Sequence, residues 1–125
     1  MAQADTRIAE FELAGKIAGA CMDAKGIDLT VLDVSEQSDI AKFFLIVSGR
    51  SDRQAQGIAN RVVQVLSERG LSPESVEGYE EGHWILLDCE DVVVHVFYEP
   101  VRERYDLEGL WMKAKKLDAT QLLAA

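Results

Sequence analysis

Two periodicities along the chain predict its helices and strands. Apolar residues recur every three or four positions over residues 6–24 and 51–69, which indicates two amphipathic helices. In the first helix, Asp5 is the expected N-cap and Gly26 the expected C-cap. The second begins with a capping box, Ser51–Gln54, and stops at Gly70. The stripe that it should bury consists of Ala55, Ile58, Ala59, Val62 and Leu66.

Five shorter segments have the pattern of β-strands. They are Ile27–Val34, Lys42–Ser48, a short edge strand at Val76–Tyr79, and the two arms of a hairpin at His83–Leu87 and Val92–Tyr98. The second segment is apolar almost throughout, which is typical of a strand buried on both faces at the centre of a sheet. A helix between strands makes a crossover. The predicted fold class is therefore α/β (α+β), with a mixed sheet of about five strands flanked by helices.

The hairpin should present two different faces. A two-residue loop at Cys89 and Glu90 would place Trp84 opposite His95. Alternation then puts one set of side chains on each face. The first face carries Trp84, Leu86, Asp88, Asp91, Val93, His95 and Phe97, and the second carries Ile85, Leu87, Val92, Val94 and Val96. We assign the second face to the internal core. The first is either covered by the C-terminal helix or offered to a partner.

A short amphipathic helix is predicted directly after the hairpin. Pro100 suits the first turn of a helix, and apolar residues with helical spacing follow it. These are Val101, Tyr105, Leu107, Leu110 and Trp111, with Glu108 interleaved. Beyond Trp111 the chain is rich in lysine and then in alanine and leucine through Ala125, which predicts a helical tail.

Length and composition predict one soluble domain. The 125 residues suit a single unit over 1–125, with its core at about 5–116 and a tail at 117–125. The two cysteines, Cys21 and Cys89, are far apart and have no Cys/His cluster around them, so neither a disulfide framework nor a zinc site is expected. The N-terminal sequence lacks the pattern of a signal peptide, and apolar runs stay far below membrane-spanning length. A cytoplasmic location is expected.

The net charge of −9 bears on the kind of partner. Such acidity argues against extensive contact with a phosphate backbone. It is compatible with a basic protein partner, although acidity also serves solubility alone.

Three weak signals for enzyme chemistry do not combine into a site. His95 has no serine or cysteine nucleophile in a recognisable motif. Asp88 with Glu90 or Asp91 could pair as metal ligands, but turns are commonly acidic. Gly49 before Ser51 could cradle a phosphate, yet a single glycine falls short of a nucleotide-binding motif. We therefore expect no catalytic residues, no cofactor and no metal.

The hairpin and the following helix closely resemble the signature of the ribosomal silencing factor (RsfS/Iojap) family. The matching positions are Trp84, Leu87, Asp88, Val94, His95, Val96, Phe97, Arg102, Tyr105, Leu107, Glu108, Leu110 and Trp111. The segments KGIDLTVLDVSEQSD and SGRSDRQ extend the resemblance to about Lys116.

This resemblance implies a nucleotidyltransferase-like fold without the activity, because Gly49 is followed by arginine rather than serine and the Asp-x-Asp metal pair is missing at that place. It also implies binding to large-subunit ribosomal protein fourteen on the large ribosomal subunit and a steric block to the small subunit. Translation would thereby be repressed when nutrients are scarce. A role in large-subunit biogenesis and a homodimer in the free state are implied as well.

The residues expected to bind the partner follow from the matching positions. They are Trp84, Asp88, His95, Arg102, Tyr105, Leu107, Glu108, Leu110 and Trp111. Two alternative functions stay open at this point. One is a metal-dependent nucleotidyltransferase-type enzyme using Asp88 and Glu90, and the other is a general protein-interaction dimer.

Overall fold

The computed structural model describes residues 2–39 and 41–118, and within those ranges it describes side chains from residue 11 onward. This part of the chain forms four helices and six strands. They are α1 (Ala2–Asp23), β1 (Ile27–Asp33), β2 (Phe43–Gly49), α2 (Asp52–Glu68), β3 (Ser75–Glu77), β4 (Trp84–Cys89), β5 (Val92–Tyr98), α3 (Glu99–Tyr105), α4 (Leu107–Leu110) and β6 (Lys115–Leu117).

The strands form one mixed sheet in the order β3-β4-β5-β2-β1-β6. β2 and β5 are parallel, and the other neighbouring pairs are antiparallel. The apolar segment that became β2 lies in the middle of the sheet, between β1 and β5. The predicted fold class is confirmed, and the sheet has six strands where about five were expected.

One face of the sheet packs against α1 and α2. The hairpin side chains assigned to the internal core lie there, and each of Ile85, Leu87, Val92, Val94 and Val96 is fully buried. α2 contributes the predicted stripe, all of which is buried. Its start is also as predicted, because the Gln54 amide donates to Ser51 Oγ at 3.0 Å.

The start of α2 leaves little opportunity for phosphate binding. The Arg53 and Ala55 amides donate to Asp52 Oδ1 and to the Ser51 carbonyl, and the Arg50 amide donates to Gln54 Oε1. A Cβ on Gly49 would lie 2.8 Å from the Ala55 nitrogen. Gly49 is therefore explained by the close approach of β2 to the helix, and these amides already have acceptors.

The opposite face of the sheet packs against α3 and α4. Buried side chains from β1, β2 and β5 meet Leu107 of α4 in a second apolar cluster. Its buried members are Leu32, Val34, Ala41, Phe44, Ile46, Val93, Phe97 and Leu107. The hairpin face that carries Trp84 and His95 is thus partly covered by α3 and α4. Cover by the C-terminal helix was one of the two alternatives for this face, and a partner was the other.

The caps predicted for the first helix are wrong. α1 begins at Ala2, so Asp5 lies inside the helix. At the other end the left-handed backbone conformation is taken by Lys25 (φ 63°), not by Gly26. A Cβ on Gly26 would lie 2.5 Å from Val47 Cγ2, so this glycine permits the helix end to approach β2.

The predicted register of the hairpin is also wrong, by two residues. Cys89 pairs with Val92, and the loop consists of Glu90 (φ 65°) and Asp91. Trp84 therefore lies opposite Phe97, not His95. Cys89 is buried, which favours a place in the strand over a place in the loop. Because the shift is even, every side chain stays on its predicted face.

The segment after the hairpin differs from the prediction in two ways. The expected continuous helix is broken at Asp106, whose φ of 46° is left-handed, so that α3 and α4 are separate. The Asp106 amide donates to the Arg102 carbonyl, and its carboxylate accepts from the Gly109 amide at 3.3 Å. The start of the predicted helical tail is instead the edge strand β6, paired with β1. Residues 119–125 lie outside the described part.

Candidate docking surface

Trp84 is the centre of the predicted site. It opens β4 and is half-buried, with its indole stacked on Phe97 at 4.9 Å between ring centroids. The indole Nε1 donates to His95 Nδ1 at 3.1 Å, and the Tyr105 ring lies 5.0 Å away on the outer side. The sheet therefore fixes the orientation of Trp84, and Trp84 in turn supports Tyr105.

His95 supports this arrangement from inside the protein. Its side chain is 4% exposed, and burial lowers the pKa of the imidazole from 6.5 to about 4. Because Nδ1 accepts from Trp84, the neutral ring carries its proton on Nε2, which has no hydrogen-bond partner among the described residues. His95 is thus a neutral core residue.

Five aromatic rings form a continuous row across this face of the sheet. Tyr105 contacts Trp84, Trp84 contacts His95 at 6.0 Å, and His95 meets Phe44 edge-on at 4.9 Å. Phe44 meets Trp111 edge-on, also at 4.9 Å. The row connects the end of α3 to the end of α4, so the two short helices share one aromatic base.

Arg102 ties α3 and α4 to the sheet. Its Nε and one terminal nitrogen bind the two carboxylate oxygens of Glu108 at 3.0 and 3.3 Å. The terminal nitrogens also donate to the Asp28 carbonyl at 2.7 Å and to the hydroxyls of Ser48 and Thr30, both at 3.0 Å. The irregular register of β1 between Ile27 and Thr30 lies next to this carbonyl. All five N–H donors of Arg102 can be used in this arrangement.

Three large side chains between the end of α3 and residue 112 point into solvent. Tyr105, Leu110 and Met112 are 55%, 79% and 83% exposed. Leu110 and Met112 line an open groove of about 330 Å³ together with Trp111. We call Trp84, Tyr105, Leu110, Trp111 and Met112 the apolar surface. Tyr105, Leu110 and Met112 are the three most exposed large apolar side chains among those described, which makes this surface the candidate interaction site.

The predicted site residues fall into three classes of exposure. Tyr105 and Leu110 are exposed; Trp84, Asp88, Glu108 and Trp111 are half-buried; His95, Arg102 and Leu107 are buried. The buried three support the surface in this conformation. Asp88 lies near the hairpin turn at the opposite end of β4, where its carboxylate accepts from the Glu90 amide at 3.1 Å. Sequence reasoning missed Met112, although a long apolar residue between Trp111 and a lysine is itself a signal.

An acidic pocket is formed by residues of β1, β2, α3 and α4 together with Asp106. It has a volume of about 340 Å³, with Arg102 among its lining residues. Its carboxylates belong to Asp28, Glu99, Glu103, Asp106 and Glu108. Within the described side chains no three His, Cys, Asp or Glu residues are grouped so that they could hold a metal ion. The pocket thus adds negative charge at Asp106 and Glu108, which lie between Tyr105 and Leu110 in the chain.

Comparison with known proteins identifies the family. The family model described as "Ribosomal silencing factor during starvation" matches residues 7–125. The chain belongs to the ribosomal silencing factor family. A ribosomal silencing factor of Bacillus subtilis is 42% identical over 101 residues, which cover 81% of this chain and 86% of that protein. A chloroplastic Iojap protein of Arabidopsis thaliana is 29% identical over 117 residues, which cover 94% of this chain and 49% of that protein.

A solved structure agrees with the fold of this ribosomal silencing factor. A crystal structure of a Chromobacterium violaceum protein matches with a TM-score of 0.79 and 37% identity, covering 86% of this chain and 88% of the other. The family resemblance expected from the sequence is confirmed, and with it a role in regulating translation. No helix in the described part is both long and apolar enough to cross a membrane.

Proposed function

We propose that this ribosomal silencing factor binds the large ribosomal subunit through large-subunit ribosomal protein fourteen and sterically blocks the small subunit. The observation that carries the proposal is the apolar surface, whose three exposed side chains are 55–83% accessible to solvent. Aromatic side chains on a fixed base are typical of interaction hot spots. Membership of the family supplies the ribosome as the target.

The rigid support of the apolar surface favours binding. Arg102 anchors α3 and α4 through five hydrogen bonds, and Trp84 supports the Tyr105 ring. Side chains that are already ordered lose less conformational entropy when they are covered by a partner. The surface therefore needs little rearrangement in order to dock.

Charge supports a basic protein as the partner. The chain carries a net charge of −9, and the acidic pocket includes Asp106 and Glu108, which lie between Tyr105 and Leu110 in the chain. Complementary charge speeds the encounter with a basic ribosomal protein, and like charge disfavours approach to RNA elsewhere on the subunit. The expected mechanism is occupation of space, which requires neither catalysis nor a cofactor, and the expected place of action is the cytoplasm.

The free protein is expected to be a homodimer, as the family resemblance implies. If the dimer covers the apolar surface, dimerisation competes with docking, and dilution favours the form that can bind the ribosome. A titration of protein concentration against subunit binding distinguishes overlapping from separate surfaces.

Co-sedimentation with purified large subunits tests the proposal. The wild type should co-migrate with the subunit, and Leu110→Ala with Met112→Ala should weaken binding while the circular dichroism spectrum stays unchanged. Leu71→Ala is the matched control, since Leu71 is 46% exposed but lies outside the apolar surface. In a subunit-joining assay, the wild type and Leu71→Ala should inhibit joining more strongly than the double variant. Failure of the wild type to co-migrate at low and moderate salt would overturn the proposal.

A further inference from the structure

A short run of lysines follows the apolar surface directly. Lys113, Lys115 and Lys116 occupy three of four consecutive positions, in a chain whose net charge is −9. All three side chains are exposed. We call these three residues the lysine strip. It is a local reversal of the charge of the protein.

The lysine strip is continuous with the apolar surface. Lys113 lines the same groove as Leu110 and Met112, and its carbonyl accepts from the Gln37 side chain at 3.3 Å. Lys115 and Lys116 belong to β6, where pairing with β1 fixes their backbone. A partner that covers the apolar surface therefore comes close to the strip.

Within the described part of the chain, the three lysines make no direct ion pair. Among the described side chains no carboxylate lies within 4.0 Å of any of the three ammonium groups. Asp33 and Glu36 share a small polar pocket with Lys113 and Lys115. The Asp33 carboxylate, however, accepts from the amide and hydroxyl of Ser35 at 3.0 and 2.6 Å. No direct ion pair with a described carboxylate competes with binding of an external anion, although the charges of Asp33 and Glu36 oppose it.

We infer that the lysine strip binds backbone phosphates of ribosomal RNA beside the protein on which the apolar surface docks. The inference rests on the proposed function, which brings this edge of the sheet to the large subunit. Lysine is a mobile point charge suited to phosphate. The rest of the chain is acidic, which disfavours contact with RNA elsewhere on its surface. Lysines also protect exposed edge strands from pairing with other chains, and the experiment below separates the two roles.

The test measures binding of the full chain to purified large subunits as a function of salt. In the triple variant Lys113→Gln, Lys115→Gln and Lys116→Gln, the slope of log K against log salt should be shallower by about 2–3. Between about 50 and 200 mM salt, the wild type should then lose about 16–64-fold more affinity than the variant. The matched control carries Lys16→Gln, Arg53→Gln and Arg69→Gln, three exposed cations on the helix layer, and should keep the wild-type slope.

A crosslinking experiment identifies the class of partner. Both native cysteines are buried, so Lys116→Cys can be labelled selectively with a photo-crosslinker and should attach to RNA. Attachment to protein alone would overturn the inference. So would a triple variant that binds with the wild-type slope, or a control variant that loses the same affinity. Each of these results leaves the proposed function intact, whereas absence of wild-type binding at every salt concentration overturns both.

Discussion

Protonation of His95 should destabilise the fold in mild acid. Burial lowers the pKa of this imidazole from 6.5 to about 4. In the unfolded chain the ring takes up a proton near pH 6.5, whereas in the folded protein it stays neutral until about pH 4. The contribution to stability is therefore fully present above pH 6.5 and is lost as the pH falls towards 4. Protonation would also remove the acceptor of the Trp84 indole.

The size of the effect follows from linkage. The two pKa values of 6.5 and about 4 differ by about 2.5. At 1.36 kcal/mol per pKa unit, the loss of stability is limited to about 3 kcal/mol. At pH 5 the same two values predict a loss of about 2 kcal/mol relative to pH 8. This is a large share of the stability of a small domain.

Denaturant unfolding followed by tryptophan fluorescence between pH 8 and pH 5 measures the effect, at one fixed protein concentration. The quantity to compare is the difference between variants, because it isolates the contribution of His95. His95→Gln, which keeps a hydrogen-bond acceptor without the titration, should lose about 2 kcal/mol less than the wild type over this range. His83→Gln is the matched control, because His83 is exposed and is the only other histidine. Equal losses in the wild type and His95→Gln would refute the reasoning.

Two substitutions and one chemical probe test the packing of the fold. Arg102→Lys should lower the free energy of unfolding by about 2–4 kcal/mol, since an ammonium cannot reproduce the forked contacts of a guanidinium; equal destabilisation by Arg104→Lys, at an exposed site, would contradict this. Gly49→Ala should lower the free energy of unfolding by about 1–3 kcal/mol, because the added methyl group overpacks against α2. An unchanged denaturant midpoint would exclude this overpacking. Burial raises the pKa of the Cys21 and Cys89 thiols to about 12, so neither should react with a thiol reagent at pH 8 until the protein unfolds; a fast reaction of the native protein would refute their burial.

The parts of the fold that sequence reasoning predicted well depend on local patterns. The apolar run at β2 and the stripe of α2 from Ala55 to Leu66 determine which side chains face the core. Strand faces are also robust, because an even error in hairpin register leaves them unchanged. This is why Trp84 and His95 were placed on one face correctly although their pairing was wrong.

The parts that were missed depend on contacts distant in sequence. β6 contains two lysines and only one apolar residue, Leu117, so its strand conformation comes from pairing with β1 rather than from its own pattern. The break at Asp106 requires a left-handed backbone at a residue other than glycine, which no periodicity signals. Met112 lies beyond the end of α4 at Leu110, where helical periodicity no longer predicts which side chains are buried.

Substitutions of the exposed and of the buried residues at the apolar surface should have different effects. Leu110 and Met112 are mostly exposed and contribute little to folding, so their loss should reduce docking while stability stays within about 0.5 kcal/mol. Arg102 and His95 are buried and make no direct contact with a partner in this conformation. Their substitution should therefore impair docking through disorder of α3 and α4. A variant of either residue that keeps its full stability and loses binding would show that the buried residue becomes exposed when the protein docks.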